Sequence, residues 1–134
     1  MVIVDSSVWI DYFNGVANPH TDWLDAQMEQ QRLGLTAIIL CEVLQGVWSE
    51  RKAAAVEAEL LKLEVFHAGD AALAAQAARY SRTLRGRGRT VRTTIDVLIA
   101  TFCLQGKHSL LHRDRDFDPF EELLGLSVIH PPGA

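Results

Sequence analysis

Short runs of consecutive apolar residues alternate along the chain with longer stretches in which apolar and polar positions recur at helical spacing. The first run, Met1-Val2-Ile3-Val4, is rich in β-branched side chains and stops at Asp5, which is how a strand buried on both faces reads. Ser6-Ser7 then open an amphipathic segment with Val8, Trp9, Ile10, Tyr12 and Phe13, and Asn14-Gly15 ends it. Asn18-Pro19, a capping residue followed by proline at the first helical position, predicts a helix to about Arg32. Leu33 to Thr36 reads as a second strand. The stretch AIILCEVLQGVW behind it is apolar on nearly every side and predicts a buried helix with Glu42 as its one charge. Glu50 to Leu63 predicts an amphipathic helix, and Glu64 to His67 a third strand. A long alanine-rich helix starts at Asp70 and breaks at Gly86 and Gly88. Another, IDVLIATFCLQ, begins at Thr93-Thr94 and closes at Gly106. His108 to His112 predicts a fourth strand, Pro119 to Leu124 a short helix, and Leu126 to Ile129 a fifth strand.

Strands separated by helices, with no hairpin signals, predict an α/β fold: one α/β/α layered domain over residues 1–134 around a central parallel sheet of about five short strands. No apolar run approaches the ~20 residues that a membrane helix needs. The first run meets Asp5 too soon for a secretory signal, so the expected location is the cytoplasm. Cys41 and Cys103 lie within helical apolar patterns and read as small buried hydrophobes. The formal charge of −4 argues weakly against nucleic acid, but it hides an uneven distribution. Eight of the ten arginines fall between Arg79 and Arg115, six of them in RYSRTLRGRGRTVR. That segment, with Arg82, Arg85, Arg87, Arg89 and Arg92, is a candidate surface for a nucleic-acid backbone, or else a solvated face.

Several carboxylates do not fit their surroundings. Asp5 ends a central strand directly before a helix, where open α/β sheets place ligands and where an ordinary N-cap also sits. Glu42 is hemmed in by Ile38, Ile39, Val43 and Leu44, and an unpaired buried carboxylate is costly unless an arginine or a metal compensates it. Asp96 stands alone in TTIDVLIA, either as a ligand or as the acidic end of a capping box begun by Thr93. Asp114, Asp116 and Asp118 follow the fourth strand on one loop, more acids than a turn or cap requires. Asp5 and Asp114 fall on the same edge of the predicted sheet, and Asp96 joins them only if its helix runs back across it. Carboxylates held close repel one another and call for a cation. Oxygen ligands with no His or Cys partner select Mg²⁺ or Mn²⁺, and such a site carries out metal-assisted phosphodiester hydrolysis.

VIVDSSVWID, LCEVLQG, TIDVLIA and LLHRDRDF, in that order, resemble the PIN-domain ribonucleases, and in particular their VapC branch, the toxins of type II toxin–antitoxin pairs. The resemblance implies a sheet of order 3-2-1-4-5 and a Mg²⁺-dependent endoribonuclease in which Mn²⁺ substitutes. It makes Asp5, Glu42, Asp96 and Asp114 the acidic cluster, with Asp116 a further metal ligand and Ser7 the hydroxyl beside the first acid. It also implies a homodimer, cleavage of single-stranded or looped RNA, and an antitoxin protein whose basic or aromatic residues enter the acidic groove. His112 departs from the family pattern, in which many members carry Ser or Thr at this position; the expectation is a strand-end histidine without a catalytic part. Two other classes compete. A catalytically inactive PIN-like RNA-binding or scaffold module would lack one of the acids. A phosphoacceptor receiver-like domain would want an acidic pair after the first strand and a lysine near the fifth, where this chain has Ser6-Ser7 and no lysine beyond Lys107.

Overall fold

In the computed structural model, which describes all 134 residues, the short apolar runs form the strands of one five-stranded parallel sheet. The elements in chain order are β1 (Val2–Val4), α1 (Ser6–Phe13), α2 (Pro19–Gln27), β2 (Leu33–Thr36), α3 (Ala37–Gln45), α4 (Glu50–Leu60) and β3 (Glu64–Phe66). They continue with α5 (Ala71–Gly86), α6 (Thr94–Gly106), β4 (Ser109–Leu111), a 3-10 turn (Arg115–Phe117), α7 (Asp118–Leu124) and β5 (Ser127–Val128). The sheet order is β3-β2-β1-β4-β5, as the resemblance implied. β1 is the central strand: Val2 pairs with Leu33 on one side and Val4 with Leu111 on the other. The chain steps outward from β1 to β3, then crosses back to β4, so β1 and β4 flank the topological switch point where sheets of this class bind ligands. The crossover helices pack as two sets, α1 with α2 and α3 on one side, α5 with α6 and α7 on the other, giving the three layers.

Ile3, Val4, Leu35, Leu110 and Leu111 are fully buried in the sheet, and Trp9, Ile39, Leu84 and Ile99 cover it from the helices. Each buried side chain of this size contributes roughly 1.5–3 kcal/mol. Gly34 in β2 is required by crowding, since a Cβ there would lie 2.8 Å from the Met1 Sδ and 3.0 Å from the Glu64 carbonyl oxygen.

Several boundaries differ from the sequence pattern. α2 stops at Gln27, not near Arg32, because Glu29, Gln30 and Gln31 offer no apolar side chain to hold a further turn against the core. α4 ends at Leu60, and α6 runs through Gly106, with Lys107 taking the left-handed conformation (φ 55°) that glycine usually supplies. The larger correction concerns α3. It is not buried on every side: Ile39 and Val43, four residues apart, face the core, while Cys41 is exposed and Trp48 beyond the helix is fully exposed. α3 is an outer-layer helix packed on α1 and α4, with Ala37, Cys41 and Gln45 exposed on its far side. Only Cys103 is the buried cysteine expected.

Candidate metal centre

The carboxylates gather at the carboxyl edge of β1 and β4. Asp5 directly follows β1 and caps α1; its Oδ2 accepts from the Ser7 hydroxyl (2.6 Å) and the Ser7 backbone N–H (3.1 Å). Its Oδ1 is buried and has no partner. Burial, aided by the charge of Glu42, pushes the Asp5 carboxyl up to about 6 against the opposing bonds from Ser7. Asp5 does cap α1, through one oxygen, and the other oxygen is left without a donor.

Asp96 lies in the first turn of α6, whose N-cap Thr93 accepts from the Asp96 N–H at 3.3 Å. The crossover helix runs antiparallel to β4, which places its first turn at the edge where β4 ends. Asp96 therefore reaches Asp114 and Asp116, and one ligand oxygen from each lies within 4.8 Å of the other two. Asp96 is buried, which pushes its carboxyl up to about 6, with Asp114, Asp5 and Asp116 adding repulsion and Thr93 opposing it. The Asp114 Oδ1 accepts from the Asp116 N–H (2.9 Å), a capping bond that folds the loop so that both carboxylates face Asp96. Asp118, the third acid of the loop, lies outside this group and starts α7.

Glu42 sits on α3 at the margin of the cluster, half-buried and not enclosed as its sequence neighbours suggest. No arginine pairs with it; its partner is the Ser6 hydroxyl, which donates to Oε1 at 3.2 Å. Its carboxyl is raised, by burial first and then by the charges of Asp96 and Asp114, against the bond from Ser6. Ser6 was invisible as a site residue in the sequence, where it reads only as a helix opener. Ser7 does more than accompany Asp5: its Oγ also accepts from the Arg113 N–H at 3.1 Å, tying the end of β1 to the loop after β4. His112 is buried at the end of β4, and its Nδ1 accepts from the Asp114 N–H at 3.0 Å.

The arginine segment is divided. Arg89 and Arg92 join Arg115, Asp114 and Asp116 in a cleft of about 450 Å³ with no hydrophobic residue in its walls. Arg89 is committed to an ion pair with Glu122, whereas Arg92 and Arg115 are exposed and have no carboxylate partner. Arg82 and Arg85 line a separate groove between α5 and α6, and Arg87 caps the end of α5. Arg115 carries no signal in the sequence beyond its place between two aspartates.

Three close carboxylates, an orphaned buried oxygen on a fourth and a fifth acid within range of their charge form an oxygen-only donor set. Such a set suits a hard divalent cation and offers nothing to a soft one. The family model for the PIN domain matches residues 2–123. The chain is 27% identical over 130 residues to the VapC ribonuclease Mb1587 of Mycobacterium bovis and to ribonuclease VapC11 of Mycobacterium tuberculosis, covering 96% of this chain and 97% of each relative. Among solved structures, VapBC2 from Rickettsia felis bound to a promoter DNA fragment superposes with a TM-score of 0.73 at 15% identity, covering 96% of this chain and 98% of that one. VapC20 of Mycobacterium tuberculosis, described as a toxin cleaving the sarcin-ricin loop, gives 0.72 at 21% identity, with 98% and 100% covered.

Proposed function

Because this chain belongs to the PIN domain family, we propose that it is a Mg²⁺-dependent endoribonuclease of single-stranded or looped RNA, the toxin of a toxin–antitoxin pair, built as one domain over residues 1–134. The observation that carries this reading is the meeting of Asp96, Asp114 and Asp116, with all ligand oxygens within 4.8 Å. The four acids of the cluster that the resemblance implies, Asp5, Glu42, Asp96 and Asp114, are all present, with Asp116 as a fifth, so nothing favours an inactive scaffold. Asp5, Asp96, Asp114 and Asp116 hold the cation, Asp5 through its unpartnered Oδ1, and Mn²⁺ substitutes for Mg²⁺. When bound, such an ion lowers the pKa of water and neutralises charge on the phosphate. Glu42, anchored by Ser6, orients the attacking water and takes up its proton. Ser7 and the loop bonds keep the carboxylates aligned.

The partners in this reading are the RNA substrate, a second copy of the chain, and an antitoxin that closes the acidic groove with basic or aromatic side chains. The location is the cytoplasm; no helix is long and apolar enough to cross a membrane. The direct test is incubation with end-labelled RNA carrying single-stranded and looped segments. Internal cuts are expected with Mg²⁺ or Mn²⁺ and none in EDTA. An intact substrate with every divalent ion, or cleavage that EDTA leaves unchanged, overturns the assignment.

The arginines enter the same reading through the cleft. A phosphate next to the one at the metal lies within reach of Arg92 and Arg115, which no carboxylate neutralises. Each lost phosphate contact lowers the salt slope of single-strand binding by roughly 0.7, so changing both to Gln flattens it by about 1.4. The same double change at Arg82 and Arg85 is expected to alter the slope much less. Fluorescence anisotropy on a labelled RNA, in a Glu42→Gln background that keeps the strand intact, distinguishes the two pairs.

A further inference from the structure

From the end of β4 to the start of the 3-10 turn, the N–H groups of Arg113, Asp114 and Asp116 have no strand or helix partner, and side chains accept from them instead. Ser7 takes the N–H of Arg113, Asp114 takes that of Asp116, and the Nδ1 of His112 takes that of Asp114 at 3.0 Å. An imidazole nitrogen that accepts carries no proton, so the neutral ring bears its proton on Nε2. That atom is buried and has no partner, an arrangement unfavourable in itself. The ring is 8% exposed and lies tilted on the fully buried Phe117, with centroids 4.9 Å apart and planes at 51°. Phe117 ends the turn that Asp114 begins, so one ring grips the loop by its backbone at one end and by packing at the other.

We propose that His112 is a positioning residue for the metal centre: its Nδ1 holds the Asp114 N–H and thereby sets the direction in which the Asp114 and Asp116 carboxylates face Asp96. This rests on the metal reading above and extends it to a residue that touches neither ion nor substrate. The requirement is for an acceptor two residues before the N–H it binds, which a Ser or Asn side chain in a turn also meets. A side chain of similar size without an acceptor does not meet it.

The test measures metal binding and ring chemistry, not cleavage. The Mn²⁺ concentration giving half the maximal rise in melting temperature is compared for wild type, His112→Asn, His112→Ser, His112→Phe and His112→Ala. Loss of a group that orients metal ligands weakens affinity by about 10–100-fold. The midpoint is therefore expected to move by at least tenfold in the Phe and Ala variants and to return to within about threefold of wild type in Asn or Ser. In the metal-free protein, ¹⁵N–¹H spectra of the ring are expected to show a protonated Nε2 and a bare Nδ1. Where the Phe variant does not fold, the Ala variant and the wild-type spectrum still decide. A wild-type midpoint retained in a folded Phe or Ala variant, or a proton found on Nδ1, overturns the proposal while leaving the nuclease reading intact. A wild type that ignores Mn²⁺ overturns both.

Discussion

Glu42→Gln folds as the wild type does and cleaves RNA at least about a hundredfold more slowly, the loss typical of removing a positioned acid–base group. The expectation of a retained fold follows from what Glu42 touches. Its bond is to a neutral hydroxyl, Ser6 at 3.2 Å, and no arginine, lysine or histidine pairs with it. Removing the charge therefore strands no buried cation, the event that makes broken ion pairs so destabilising. A glutamine amide keeps an oxygen for Ser6. The charge that disappears is one that Asp96 and Asp114 repel, so the metal-free protein gains a little stability. Single-turnover cleavage in Mg²⁺, with circular dichroism melts on the same samples, separates the two effects. Ser6→Ala, which frees Glu42 without neutralising it, falls between wild type and Glu42→Gln. A cleavage rate for Glu42→Gln within a few-fold of wild type removes Glu42 from the reaction, and an unfolded variant contradicts the contacts that surround it.

Where the sequence was legible, one physical rule acted on a short span. The apolar runs that stop at Asp5 and Thr36 are strands because they are buried on both faces, and Asp70 caps α5 through the Leu73 N–H at 2.8 Å. The edge shared by Asp5 and Asp114 follows from parallel strands alone. The position of Asp96 needed one more step, the antiparallel run of a crossover helix. What the chain did not disclose depends on which element covers which. The pattern of α3 is apolar all round, yet only Ile39 and Val43 are fully buried, with Leu40 and Leu44 partly buried against the core beside them, so Glu42 is half-buried and Cys41 exposed. Ser6 and Ser7 look equivalent in sequence; Ser7 bonds the Asp5 that caps its own helix, whereas the partner of Ser6, Glu42, is brought by the approach of α3 to α1. The arginines look like one patch, and the glycine-broken turn at Gly88 sends Arg89 and Arg92 to the metal edge while Arg82 and Arg85 stay on the helix.

The metal-free protein is expected to lose stability as pH rises from about 4 to about 7, opposite to the usual trend for carboxylates in ion pairs. Asp5 and Asp96 each go from 3.8 to about 6 on folding. Between those values the folded state holds more protons than the unfolded one, so the stability present below the unfolded pKa is lost through the folded pKa. For Asp5, whose carboxyl is 3% exposed, the difference is on the order of 3 kcal/mol, or roughly 10 °C in melting temperature for a domain of this size. A divalent ion reverses the loss at neutral pH, because only the folded cluster binds it; at tenfold over Kd it contributes about 1.4 kcal/mol, and more at higher concentration. At pH 5 protons compete and the gain shrinks. Asp5→Asn keeps an oxygen for Ser7 and removes the buried charge. In EDTA at pH 7.5 it is expected to melt several degrees above wild type, to show a flatter pH profile, and to lose most of the response to Mn²⁺. Asp70→Asn changes a helix cap away from the cluster and is expected to retain the full metal response with a small loss of stability. Melting curves at pH 5 and 7.5, in EDTA and in millimolar Mn²⁺, give all of these at once. A wild-type melting temperature indifferent to Mn²⁺ means that these carboxylates hold no metal, and the nuclease reading falls with it; one that climbs with pH in EDTA means that Asp5 and Asp96 are not held with raised carboxyls in the folded protein.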